Sequence, residues 1–247
     1  MAQNSVARSR TDILVNDFVR STYNWMGAGL ALTGVVAFYV SSSETMMRLI
    51  FGNPIVFFIL IFAELGLVFS ISGMVNRISA GTATGLFLLY SALNGVTLSF
   101  IFLAYTRTSI ASTFFICAGT FVGCSIYGWT TKKDLTSWRG FLMMGLIGII
   151  IASLVNMFVR SSAMHMIISY IGVIVFVGLT AYDTQKLKNM ALTQPADVEG
   201  AVVRKGAILG ALSLYLDFIN LFLMLLRIFG SGRVFKEKGM SCPSPPT

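Results

Sequence analysis

Three carboxylates stand in runs that are otherwise mostly apolar: Glu64 in FFILIFAELGLVFS, Asp183 near the end of VIVFVGLTAYDTQK, and Asp217 in LSLYLDFINLF. A charged acid at the centre of a bilayer costs at least about 2.5–3.5 kcal/mol, so such an acid faces the protein interior and finds a partner there. One reading is structural, a protonated carboxyl hydrogen-bonded across helices. The other is functional. Two acids that meet in a low dielectric cannot both ionise cheaply, and their protons come off as a coupled pair. Three acids converging on one bundle favour the functional reading. Carboxylate oxygens are also the hard ligands that calcium takes.

Depth along the runs indicates who can meet whom. At about 1.5 Å per residue, Asp217 lies roughly 16 Å along the last run, and Asp183 within about a turn of the end of the run before it. Arg77 closes the second run on that same side, and a long arginine reaches inward from the interface. Asp183, Asp217 and Arg77 are therefore the expected pH-sensitive element, with the two aspartates as transient calcium ligands. Arg227, ten residues past Asp217, meets Glu64 if it bends inward. Snorkelling to lipid headgroups is the competing reading. Asn94, Asn156 and Asn220 suit interhelical hydrogen bonds. His165, the only histidine, sits at a run's outer end and reads as incidental.

Other chemistries drop out. None of the lysines falls inside an apolar run, which excludes a Schiff-base pocket of the retinal type. Paired aspartates suggest an intramembrane aspartic protease, but Asp217 follows LYL where that class carries GxGD. The lone His leaves no Ser/His pair, and no Walker A loop appears. Cys117, Cys124 and Cys242 form neither a disulfide framework nor a zinc motif. No enzymatic activity and no cofactor are expected.

The positioning elements follow from composition. Of the 247 residues 55% are hydrophobic and 11% charged, with a mean hydropathy of +0.79. Soluble domains carry about 25% charged residues. An integral membrane protein of the all-α class is implied, because lipid satisfies no backbone N–H or C=O and only closed helices or barrels span it. Seven runs reach the roughly 17–25 residues a crossing needs: 25–41, 54–74, 84–104, 110–129, 140–159, 164–185 and 206–229. The organisation is a cytoplasmic arm over 1–23, a transmembrane domain over 24–230, and a short disordered tail over 231–247.

The net charge of +8 is distributed between the runs and forms no aromatic-interleaved patch, so membrane lipids are expected as partners and nucleic acid is not. With the N-terminus inside, the arm and loops 2, 4 and 6 hold eleven Lys and Arg; loops 1, 3 and 5 hold only Arg48, Arg107 and Arg160. That asymmetry puts the N-terminus in the cytoplasm. Arg227, Arg233, Lys236 and Lys238 then fall outside, unless the last segment is re-entrant and returns.

GLTAYDTQKLK followed by LSLYLDFINLFLMLLRIFG resembles the Bax inhibitor (transmembrane Bax-inhibitor-motif) family, and is closer to its bacterial members. The resemblance covers about 24–230. It implies a seven-helix bundle with the last helix central and a pH-sensitive calcium leak, with calcium ions and protons as what it handles. Asp183 and Asp217 match the family's proton-sharing pair, Arg77 its closing latch, and Glu64 with Arg227 a second acid–arginine pair. The alternative it implies is a regulator that binds a membrane-bound ATP-dependent protease, or cell-death and stress partners, without conducting ions. The implied location is the bacterial inner membrane, or an ER or other organelle membrane in a eukaryote.

Overall fold

A computed structural model describes residues 2–75, 77–193 and 200–232, with side chains from residue 16 onward. The expected disordered tail falls outside the described residues from position 233. Helices follow one another as α1 (Ala2–Ser41), α2 (Glu44–Phe51), α3 (Pro54–Met74), α4 (Ala80–Leu98), α5 (Ile101–Ala104), α6 (Arg107–Thr130), α7 (Arg139–Val159), α8 (Ser162–Thr193) and α9 (Gly200–Phe229). One 3-10 turn, Leu135–Trp138, precedes α7. Seven segments are long and apolar enough to cross a membrane, and among the described residues there is no strand beyond a single bridge, Tyr105 to Gly232. The all-α membrane class expected from composition is the one observed.

The short loops supply the helix starts. Asn53 accepts a hydrogen bond from the Ile55 amide with Pro54 in the first helical position, where its missing N–H costs nothing. Ser43, Ser79 and Thr106 cap α2, α4 and α6 in the same way. Each cap satisfies an amide that the helix itself leaves open.

Lipid replaces water as the outer solvent. Phe62, Phe69, Phe115 and Phe158 point outward from three different helices and are largely exposed, an arrangement that aqueous surfaces avoid. Burial is uneven. In α9, 72% of the apolar window is enclosed by protein, against 6% in α3 and at most 44% in any other span. The last helix packs against α8, α1, α6 and α4. Tyr215 anchors it: its hydroxyl lies 2.7 Å from Thr33 Oγ1, which donates to the Ser91 carbonyl at 2.8 Å. The Tyr215 ring meets Phe87 and Tyr90 edge to face at 5.8 and 5.7 Å. One hydroxyl pair thus joins α1, α4 and α9.

Where helices cross closely, a side chain is missing. A Cβ on Gly128 of α6 would collide with the Ala181 backbone of α8, and one on Gly95 of α4 with the Thr33 backbone of α1. Small residues at such crossings let backbones approach where lipid provides no hydrophobic drive.

α9 runs unbroken for 30 residues, about 45 Å at 1.5 Å per residue. A re-entrant return is thereby replaced by a full crossing. Past its end the chain is tied to the turn before α6: the Thr106 amide donates to the Ser231 carbonyl at 3.3 Å, and the Ser231 amide to Ser109 Oγ at 2.9 Å.

Candidate functional site

Asp183 and Asp217 reach the same cavity. α8 and α9 lie side by side, and between them and the start of α7 is a space of about 300 Å³ lined by both aspartates with Arg139, Lys186, Ser213 and Asn220. A second space of about 260 Å³ shares Asp183, Lys186 and Ser213 and is completed by Ser72 of α3. Asp183 therefore forms part of the wall common to both. It is half-buried, whereas Asp217 is 5% exposed. The Asp217 Oδ2 is buried and has no hydrogen-bond partner among the described residues. Its charged neighbour is Asp183, and those of Asp183 are Lys186 and Arg139.

The cations are held by the local chain. Lys186 follows Asp183 by three residues, on the same face of α8. Arg139 is the first residue of α7, and its position is set by Gln185. The Gln185 side chain accepts from the Leu135 amide and donates to the Lys133 carbonyl, both at 2.8 Å. Asp134 completes the turn by accepting from the Thr136 amide at 2.9 Å, a bond that holds its carboxyl below the usual carboxylate range. Lys188 closes the same corner, donating to the Trp129 carbonyl at 2.6 Å. Four residues of one helical stretch, Asp183 to Lys188, thus carry both the acid and the clamp that aims a cation at it.

Arg77 is not part of this group. It is exposed and lies beyond the end of α3 at Met74, so its guanidinium starts outside the helix that was to deliver it. Ser72 is the α3 residue that lines the smaller of the two cavities. Glu64 and Arg227 are likewise apart. Glu64 accepts from Thr97 Oγ1 of α4, and among the described residues the only ion pair is Arg48 with Glu44. Arg227 instead borders a cavity between the ends of α7, α8 and α9, together with Asn156, Arg160 and His165. A hydroxyl on the facing helix satisfies Glu64 without a charge, so no arginine has to travel inward to meet it.

Sequence reasoning missed Arg139 and Lys186. The i, i+3 spacing of Asp183 and Lys186 was a usable signal. Arg139 had none, because Lys132, Lys133 and Arg139 share one loop and nothing in their order separates them. Of the asparagines, Asn220 lines the aspartate cavity but its amide donates within α9, to the Leu216 carbonyl at 2.8 Å. Asn94 likewise donates within its own helix, to Tyr90. Asn156 accepts from the Ser161 amide at 3.0 Å and so holds the α7–α8 turn.

Chemically, the site offers four carboxylate oxygens, an amide and a hydroxyl beside two cations. Calcium takes six to eight oxygens, and among the described residues no three acidic, histidine or cysteine side chains come together.

Comparison with known proteins places the chain. The family model described as "Inhibitor of apoptosis-promoting Bax1" matches residues 15–234. The chain is 55% identical over 216 residues to Inner membrane protein YbhL of Escherichia coli, covering 87% of this chain and 92% of that one. An uncharacterised protein of Borreliella burgdorferi is 49% identical over 229 residues, 92% of this chain and 98% of its own. One from Deinococcus radiodurans is 42% identical over 231 residues, 94% and 97% respectively. With a match across nearly its whole length and all seven spans present, the chain belongs to the Bax inhibitor-1 family.

Proposed function

We propose that this protein is a passive, proton-regulated cation leak of a bacterial inner membrane, with calcium as cargo and Asp183 and Asp217 as its sensor. The observation that carries the reading is the shared cavity of the two aspartates beside Arg139 and Lys186. When the pair shares one proton, the two cations outweigh the single carboxylate charge and a divalent ion is repelled. When both aspartates ionise, the charges balance and the entering ion meets oxygens alone. Flux therefore rises with pH. Few fixed charges suit a leak, since an ion bound tightly would not leave. The inner-membrane location is supported by the likeness to the E. coli protein of that name.

The test is calcium-dye flux in proteoliposomes at pH 6, 7 and 8. Wild type is expected to conduct more at pH 8 than at pH 6, and Asp183→Asn and Asp217→Asn each to lose that dependence. Flux equal to empty liposomes at every pH overturns the leak. In that event the protein is a partner-binding regulator, a reading favoured by α1. That helix begins at Ala2, 14 residues ahead of its apolar window at Asn16, and so extends about 20 Å past the span at 1.5 Å per residue.

A further inference from the structure

The largest of the described cavities, about 680 Å³, lies at the other end of the bundle from the aspartates. His165 is 18 residues before Asp183 on α8, about 27 Å away at 1.5 Å per residue. The cavity is bordered by Arg160, Arg227, His165, Ser161 and Ser162, and by Met157 and Met166 on its apolar side. No acid lines it.

The two arginines differ from the other described arginines at this end. Arg48 pairs with Glu44 at 2.6 Å, and Arg107 stacks over the Phe38 ring at 5.4 Å. Arg227 is half-buried, and its one described side-chain hydrogen bond is to the Met224 sulfur at 3.9 Å. Arg160 is aimed by its backbone. It is the one described non-glycine residue with positive φ, at 53°, and its amide bonds the Asn156 carbonyl at 2.8 Å. The buried Asn156 side chain holds the next amide, that of Ser161. A left-handed residue that is neither Gly nor Asn is costly and is kept where the surroundings enforce it. α8 begins immediately afterwards, adding the positive end of a 32-residue helix to the same cavity.

We propose that this cavity binds a phosphate group, carried by an anionic phospholipid. Two arginines bordering one cavity, with no acid beside them among the described residues, call for an anion, and phosphate is the one that matches a guanidinium fork. The lipid is favoured as the carrier because the flanks are apolar and face outward: Phe158 is 80% and Ile167 58% exposed. Acyl chains lie along them while the headgroup reaches the arginines.

Native mass spectrometry of the delipidated protein in detergent tests this, with three probes: phosphatidylglycerol, a phosphate-free diglycosyl diacylglycerol, and inorganic phosphate. One phosphatidylglycerol is expected to bind per chain and to outlast the glycolipid. Arg227→Gln and Arg160→Asn are each expected to weaken it about tenfold, the loss of one charge-assisted bond. Asparagine at 160 keeps the left-handed turn, so a loss there is not misfolding. Arg107→Gln, at the same end, leaves binding unchanged. Equal affinity in both cavity variants, or equal binding of the glycolipid, overturns the proposal. Saturation by inorganic phosphate with no retained lipid overturns the lipid as carrier.

Discussion

Asp183 shares its cavity with two cations from different directions, Lys186 along its own helix and Arg139 from the start of α7. Both line the cavity that the acid pair shares, and a nearby positive charge favours the ionised carboxylate. Arg139→Gln is therefore expected to shift the pH at which calcium flux is half-maximal, while Arg77→Gln, exposed and outside the cavity, leaves it in place. A titration of flux in proteoliposomes from pH 6 to 8 compares them; an effect of Arg77 alone would return the latch to it. Why the sequence pointed to Arg77 while the cavity is lined by Arg139 is physical. Residue number gives depth along a helix, and depth put Asp183, Asp217 and a basic residue at one level. It gives no azimuth. Which cation turns inward depends on helix rotation and on the Gln185 clamp, and neither is written locally around Arg139.

The position of Asp183 depends in turn on how closely α8 lies to α6. Gly128 sits against the Ala181 backbone, two residues before the acid, and the atoms that a Cβ would meet are main-chain atoms that cannot swing away. Gly128→Ala is expected to destabilise the protein by about 1–3 kcal/mol, the usual cost of overpacking. Gly123→Ala, on the same helix but with open space at its Cβ, should not. Reversible unfolding in mixed detergent separates the two, and an unchanged Gly128→Ala would show that the crossing yields. None of this crossing could be read beforehand. A run that is apolar on all sides announces that it is a span and where it ends, as Pro54 and the Ser, Thr and Asn caps did. It carries no stripe to say which neighbour it faces. Polar residues inside spans were the exception: Thr33, Tyr215 and Thr97 each mark a contact with another helix.

Seven crossings put the two chain ends on opposite sides of the membrane, and the bundle adds a second, independent handle on which side is which. The chain after α9 is bonded to the turn between α5 and α6, and Arg227 shares a cavity with the α7–α8 turn. These are the loops that hold single arginines, whereas the aspartate end carries the lysine-rich loops. Lys and Arg are retained on the cytoplasmic side during insertion. The aspartate cavity is then expected on the cytoplasmic side, the arginine cavity on the outer side, and the basic C-terminal segment outside despite its charge. Charge counted over all loops outweighs a late cluster, because orientation is usually settled by the earlier spans. Alkaline phosphatase fused after Gly232 is expected to be active and a fluorescent protein there dark, with the reverse at the N-terminus. A bright C-terminal fluorescent fusion with a dark N-terminal one would invert the whole bundle. The proposed sensor would then read the pH outside the cell, so the sidedness of the proposed leak and the sign of its response to cytoplasmic acid rest on this one measurement.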